Sequence, residues 1–132
     1  MTAWRHWVYP FPADRAVDCL WDVFEEMPVE FGAELDWTLT DKFVVAVSDV
    51  TAAIYLRMAF SGSRLPGADG APVLEQNEVL IAADERVECE TLLRENCRAQ
   101  AEWYSVVVIS TRTAAAQRAF DEAYRGVICG RR

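Results

Sequence analysis

The side chains with the clearest potential for chemistry are carboxylates, and they are concentrated near the start of the chain. Residues 14–41 carry nine acids and a single base, Arg15. The rest of the chain carries twelve acids and twelve bases, so the formal net charge of −8 belongs to this one stretch. Concentrated negative charge steers a basic partner towards it, whereas evenly spread charge mainly favours solubility. The acids are Asp14, Asp18, Asp22, Glu25, Glu26, Glu30, Glu34, Asp36 and Asp41.

The spacing of these acids has two interpretations. Asp14, Asp18 and Asp22 follow one another every four residues, about 6 Å of helix rise. Like charges so spaced cost roughly 0.2–0.5 kcal/mol per pair, which is small beside a domain stability of about 5–15 kcal/mol. A solvated helix face therefore explains the pattern without a function. The alternative is a docking surface for a basic partner. Together with Glu30, Glu34 and Asp36, this acidic surface could partly imitate the charges of nucleic acid.

Catalytic and metal-binding patterns are weaker. His6 is the only histidine, which excludes multi-histidine metal sites and leaves one imidazole to activate a cysteine. Glu88 and Glu90 lie two apart in a predicted helix and point to different faces. The four cysteines fit neither a zinc pattern nor a disulfide framework, so we expect free thiols. The sequence predicts no catalytic residue, no cofactor and no metal. The cysteines are Cys19, Cys89, Cys97 and Cys129.

Composition narrows the class of protein. A chain of 132 residues with 52% hydrophobic residues is typical of a single globular domain, residues 1–132. No signal peptide is recognisable at the start, and no window approaches the ~20 apolar residues of a membrane span, so we expect a cytoplasmic protein without membrane contact. A pI of about 4.6 disfavours direct nucleic-acid binding.

The elements that must position the acids follow from periodicity. Residues 13–27 have the period of an amphipathic helix, with Val17, Leu20 and Phe24 opposite the acids and Pro28 as its stop. Residues 4–11 alternate like a strand, and Pro10 favours an edge position because it cannot donate to a ladder.

Later elements complete an α+β fold. Strands are predicted at 34–40 and 43–48, joined by a turn at Asp41-Lys42, and the alternation of residues 53–60 favours a third strand over a helix capped by Ser48-Asp49. We recognise no internal repeat. The expected fold is an antiparallel or mixed sheet of about five to six strands with three helices packed on it. The remaining predictions are a loop at 61–72, strands at 79–82 and 103–110, and helices at 84–101 and 112–125.

Element order and composition resemble one known family. Small size, low pI, an early amphipathic helix, a three-strand meander and a later helix containing residues 92–96, Leu-Leu-Arg-Glu-Asn, are similar to class I type III secretion chaperones. The resemblance implies a dimer that binds an unfolded segment of an effector. Toxin immunity proteins and phage anti-defence proteins share the acidic charge on unrelated folds.

The leading hypothesis is a non-enzymatic binding protein. Its acidic face would occupy a basic site on a protein partner as an inhibitor, with Trp37 as the aromatic anchor because tryptophans are favoured at interfaces. The alternatives are the dimeric chaperone and a small-molecule-binding or enzymatic α+β domain with a pocket beneath the 61–72 loop. The predicted partner-binding residues are Asp14, Asp18, Asp22, Glu25, Glu26, Glu30, Glu34, Asp36 and Trp37.

Overall fold

The structure is a computed structural model that describes residues 4–60 and 75–130. Strands and helices alternate along the chain. Short 3₁₀ turns at 13–15, 29–34 and 83–85 lead into the following elements, and a π-helical turn at 93–97 continues the third helix. The elements are β1 Arg5–Pro12, α1 Ala16–Glu26, β2 Leu35–Val47, α2 Val50–Ala59, β3 Glu78–Ala82, α3 Arg86–Leu92, β4 Ala101–Thr111 and α4 Ala114–Gly130.

The described strands form one antiparallel sheet in the order β1-β4-β2-β3. The predicted α+β class is confirmed, but the described part of the chain has four strands and four α-helices rather than five to six strands and three helices. The edge position predicted for β1 is also confirmed, with Pro10 opposite Val106 of β4.

The helices pack on one face of the sheet in two groups. Tyr9 and Val107 face the group made by α1 and α4, where Phe120 is fully buried. Val45 and Ile81 face the group made by α2 and α3. Successive strand residues point to opposite faces, and the other face carries a smaller cluster made only of strand residues: Val8, Val44, Leu80 and Val106, with Tyr104 and Val108 beside them.

The two strands predicted at 34–40 and 43–48 are one strand, β2, so the turn predicted at Asp41-Lys42 is wrong. The pairing with β4 shifts register between Leu39 and Phe43, which marks a β-bulge. The Thr40 hydroxyl donates to the carbonyl of Val106 at 2.7 Å and accepts from the Lys42 amide at 3.2 Å. The strand therefore bends at these residues without reversing. The three-strand meander behind the resemblance to secretion chaperones is not formed.

Residues 50–59 form helix α2, so the strand predicted at 53–60 is wrong. The alternation was misleading because two of its apolar members, Ile54 and Met58, are 51% and 77% exposed. The residues that pack inward are Ala52, Ala53 and Leu56, which follow the helical period.

The cap of α2 gives a direct test of this helix. The Asp49 side chain accepts from the Thr51 amide at 3.0 Å, so Asp49→Ala is expected to lower the free energy of unfolding by about 0.5–2 kcal/mol. Urea unfolding followed by circular dichroism measures the change. Asp49→Asn keeps an acceptor and is the control, expected to lose much less. Equal losses for the two variants would contradict the capping role.

The remaining bounds differ by a few residues. The strands predicted at 79–82 and 103–110 are confirmed as β3 and β4. The helix predicted to reach 101 ends at Cys97, after which Arg98 takes a left-handed conformation with φ 50°. Helix α4 continues five residues beyond its predicted end at 125. The loop predicted at 61–72 lies outside the described residues.

Each half of the chain has the same order of elements: strand, 3₁₀ turn, helix, strand, helix. Exchanging β1 with β3 and β2 with β4 turns the sheet order into its own reverse. The sheet topology is therefore unchanged when the two halves are exchanged. The sequence analysis recognised no internal repeat, whereas the order of elements in the structure repeats once.

Matching residues support the repeat. Buried Cys19 and Cys89 occupy equivalent places in α1 and α3, and the inward positions of α2 are matched in α4. The two halves are therefore built on one pattern of turn and core residues. Ala13, Asp14, Val17 and Cys19 recur seventy positions later as Ala83, Asp84, Val87 and Cys89, and Ala52, Leu56 and Phe60 recur sixty-four positions later as Ala116, Phe120 and Tyr124.

Among the described residues, none of the helices combines the length and the apolar character that a membrane span requires.

Candidate functional site

The acids of α1 form a row that we call the α1 ridge, made of Asp18, Asp22, Glu25 and Glu26. Asp22 is half-buried and the other three are exposed. The opposite side of the helix is buried through Cys19, Leu20 and Val23. Amphipathic periodicity therefore fixes the ridge outward, as the sequence predicts.

The α1 ridge borders a groove between α1 and α4, which we call the α1–α4 groove. Its volume is about 930 Å³. Asp22, Glu25 and Glu26 line it from α1, and Glu122 adds a fourth carboxylate from α4. Arg118 is the one base among the described lining residues. The groove is therefore net negative and open to a positively charged group.

A second depression lies beside the ridge and has a different character. This Trp21–Trp37 cleft has a volume of about 520 Å³ and mostly apolar walls. The Trp21 and Trp37 rings meet edge to face at a centroid distance of 6.5 Å, and Phe24 meets Trp21 at 5.6 Å. Glu25 and Asp36 are its two charged residues. Glu25 borders both depressions, so groove and cleft adjoin.

Sequence reasoning singled out Trp37 as the anchor, and the structure adds Trp21 beside it. Trp37 is half-buried, whereas Trp21 is 53% exposed. The signal for Trp21 was its place at the boundary between the apolar and acidic arcs of α1. The cleft also includes residues that sequence analysis did not select as site residues: Met27, Pro28, Val29, Gly32 and Leu35.

The remaining predicted site residues are placed differently. Asp14 lies in a separate depression that also contains Arg15 and Arg86. Glu34 is half-buried and accepts a hydrogen bond from the Thr113 hydroxyl at 3.2 Å. Glu30 is exposed on the 3₁₀ turn before β2. Of the nine residues, Asp22, Glu25, Glu26, Asp36 and Trp37 line the two adjoining depressions.

The repeat separates acids that both halves carry from acids that only the first half carries. Asp14 and Asp18 correspond to Asp84 and Glu88 at the start of α3. Acids near a helix N-terminus are favoured by the helix dipole, which gives this shared pair a structural explanation. Asp22 and Glu26 have no acidic counterpart, because Leu92 and Asn96 occupy the equivalent positions. These two are the ridge acids that the repeat pattern leaves to be explained.

The first half also has a longer connection before its second strand. Eight residues, 27–34, join α1 to β2, whereas three, 98–100, join the π-helical end of α3 to β4. The longer connection supplies four of the cleft residues, and the start of β2 supplies the rest of that wall. The cleft thus exists only where the two halves differ.

Three of the four acids of the α1 ridge have no ion-pair partner in the described part of the chain. The two ion pairs seen among the described residues, Arg86–Glu90 and Arg125–Asp121, are both 2.9 Å long and involve no ridge residue. Within residues 4–60 and 75–130, Asp18, Glu25 and Glu26 make no ion pair, so their charge is directed to solvent.

The catalytic alternative receives no support from the arrangement. His6 bonds Ser110 at 2.7 Å, and strand alternation places it on the sheet face away from the helices, whereas Cys19 and Cys89 pack on the helix side. Glu90 pairs with Arg86. Cys89 and Cys97 are free thiols. No three His, Cys, Asp or Glu side chains of the described ranges converge as a metal site would require.

Three buried groups of the core have strongly raised pKa values. Burial raises the pKa of Cys89 to about 12, helped by the nearby Glu90 charge. Burial also raises the pKa values of Tyr9 and Tyr124 well above that of free tyrosine. The charge of Asp121 raises the pKa of Tyr9 further, and so does the hydrogen bond that its carboxylate accepts from the Tyr9 hydroxyl at 3.2 Å.

The chain was compared with protein families, curated proteins and solved structures. No protein family, no curated protein and no solved structure matches the chain.

Proposed function

We propose that this protein is a non-enzymatic acidic binding protein that inhibits or neutralises a macromolecular partner. The α1 ridge docks on a basic site of a protein partner, as immunity-type and phage anti-defence-type inhibitors do, and the Trp21–Trp37 cleft lies at the edge of the contact. The single observation that carries the proposal is the outward row of carboxylates on α1 beside the Trp21–Trp37 cleft.

Physical arguments support this assignment. An exposed acidic row raises the association rate with a basic partner, and an adjoining aromatic pair supplies the apolar area that charges alone lack. The cleft and two of the ridge acids, Asp22 and Glu26, belong to the first half of the repeat only. A fold needs neither of them, since the second half forms the same elements without them.

Charge reversal on α1 tests the proposal. The variant Asp18→Lys, Asp22→Lys, Glu26→Lys is expected to weaken partner affinity by about 100-fold or more at low salt, because like charges across an interface cost several kcal/mol. The salt dependence of binding should fall with it. The partner is first captured from a lysate of the source organism on wild-type protein, then purified, and its affinity is measured by calorimetry at low and high salt.

The repeat offers a matched control. Asp84→Lys, Glu88→Lys, Glu95→Lys places the same three reversals on the second half, at exposed positions. Net charge changes equally in the two triple variants, so only the location differs. Circular dichroism checks that both are folded. Equal affinity for the partner in the two variants, or an affinity in the α1 variant equal to wild type, would refute docking through the ridge.

A further inference from the structure

Three arginines of this chain lie over aromatic rings. The guanidinium of Arg86 lies 4.8 Å from the centroids of both Phe43 and Trp103, while its Nε donates to Glu90 at 2.9 Å. This arginine is thus held between two aromatic rings and one carboxylate.

Two further tryptophans are covered in the same way. Arg5 lies 5.3 Å from the ring centroid of Trp7, and Arg112 lies 5.5 Å from that of Trp4. Three of the five tryptophans therefore carry an arginine of the chain. Among the described residues, Trp21 and Trp37 carry none.

The Trp21–Trp37 cleft has the same components as the Arg86 site. Two aromatic rings meet edge to face, and two acidic residues, Glu25 and Asp36, line the cleft. Asp36 directly precedes Trp37 on β2, so strand alternation turns its carboxylate away from the Trp37 ring. Glu25 is therefore the carboxylate that borders the cleft from the helix side. A planar guanidinium stacks on aromatic faces and donates in a fork that matches a carboxylate.

We infer that the Trp21–Trp37 cleft binds an arginine side chain of the partner protein, with the guanidinium stacked on the indole rings and paired with Glu25. The inference rests on the proposed function and specifies its partner as one that presents an arginine beside its basic site. Charge complementarity selects the occupant, because both charged residues of the cleft are acidic and three of its apolar wall residues are aromatic. A purely apolar occupant would leave the Glu25 carboxylate desolvated without a partner.

The test uses a peptide probe and needs no identified partner. Blocked Gly-Arg-Gly is titrated into ¹⁵N-labelled protein, and the five indole N–H signals are followed by NMR. The signals of Trp21 and Trp37 are assigned from Trp21→Phe and Trp37→Phe. We expect saturable shifts confined to these two signals. The same peptides with citrulline or norleucine in place of arginine should bind at least about fivefold more weakly.

Two variants check the geometry. Glu25→Gln keeps the size of the side chain but removes its charge, and it should weaken the arginine peptide several-fold. Trp21→Leu changes a half-exposed side chain, which the fold tolerates, and should abolish the shift at Trp37. Equal binding of arginine and citrulline peptides, or shifts spread over other indoles, would overturn the inference.

The two proposals fail separately. The Asp18, Asp22, Glu26 reversal leaves the cleft residues intact, so it should retain most of its peptide binding while losing the partner. If the reversal variant loses the partner but wild-type protein does not bind the peptide, the arginine site is refuted and docking through the ridge is retained. Peptide binding together with a partner affinity unaffected by the reversal would refute the ridge and leave the arginine site standing.

Discussion

Replacement of Phe120 by alanine is expected to lower the free energy of unfolding by about 3–5 kcal/mol, the range for removing a large aromatic side chain from a core. Phe120 is fully buried. Its ring meets those of Tyr9 at 4.9 Å, Phe24 at 5.9 Å and Tyr124 at 6.5 Å. It therefore joins β1, α1 and α4, and its loss would leave a cavity where these elements meet.

The repeat supplies the comparison for this variant. Leu56 is the equivalent residue in α2, is also fully buried, and its replacement by alanine should cost about 2–5 kcal/mol. Met58→Ala, on the exposed side of the same helix, should change stability by less than about 0.5 kcal/mol. Urea unfolding of the three variants measures the differences. A loss below about 1 kcal/mol for Phe120→Ala would contradict the packing described for the α1 and α4 group.

The elements that the sequence predicted well are those whose pattern of apolar and polar residues is local. Helix α1 has a full apolar arc, an acidic arc and a proline stop, and no tertiary contact was needed to recognise it. Strand β4 contains a continuous apolar run, Val106–Ile109, which is typical of a buried strand. Both elements lie within a few residues of their predicted bounds.

The elements that the sequence predicted badly depend on contacts between distant residues. The bulge in β2 is held by a bond from Thr40 to Val106, which no local pattern reveals. In α2 the period was obscured because apolar Ile54 and Met58 face solvent. The repeat was missed because few positions match and the connection after α1 is longer than that after α3.

In the candidate site, too, local features could be predicted and features that depend on tertiary packing could not. The outward direction of the α1 ridge follows from helical periodicity, so the sequence could predict it. The depression that Asp14 shares with Arg86 and the bond of Glu34 to Thr113 could not be predicted, because both depend on contacts with distant residues. The cleft needs Trp21 from the helix and Trp37 from the strand, and only the packed fold brings these two rings together.

Alkaline solution is expected to destabilise the protein steeply through three buried groups. In the folded state the pKa of Cys89 is raised from 9.0 to about 12, and those of Tyr9 and Tyr124 are raised above 10.0. Burial is the main cause for all three. Below pH 9 these groups are protonated in both states, so they add no pH dependence there.

Above pH 9 the unfolded chain releases protons that the folded chain retains, so the free energy of unfolding falls as pH rises. Cys89 acts alone between about pH 9 and 10, and the tyrosines join it above about pH 10. Each group contributes up to about 1.4 kcal/mol per pH unit. The loss for Cys89 is complete near pH 12, where the folded thiol also ionises.

The slope of stability against pH, rather than its level, identifies the responsible groups. Tyr124→Phe removes a hydrogen bond from the Tyr124 hydroxyl to the Pro10 carbonyl, 2.6 Å long, and should lower stability at pH 8 by about 1 kcal/mol. Between pH 10 and 11, however, its stability should fall less steeply than that of wild type, because one of the three titrating groups is gone. Cys89→Ala should flatten the curve between pH 9 and 10 instead. Urea unfolding at half-unit steps from pH 8 to 11 separates the two effects, and parallel curves for wild type and both variants would show that ionisation of these groups does not govern alkaline stability.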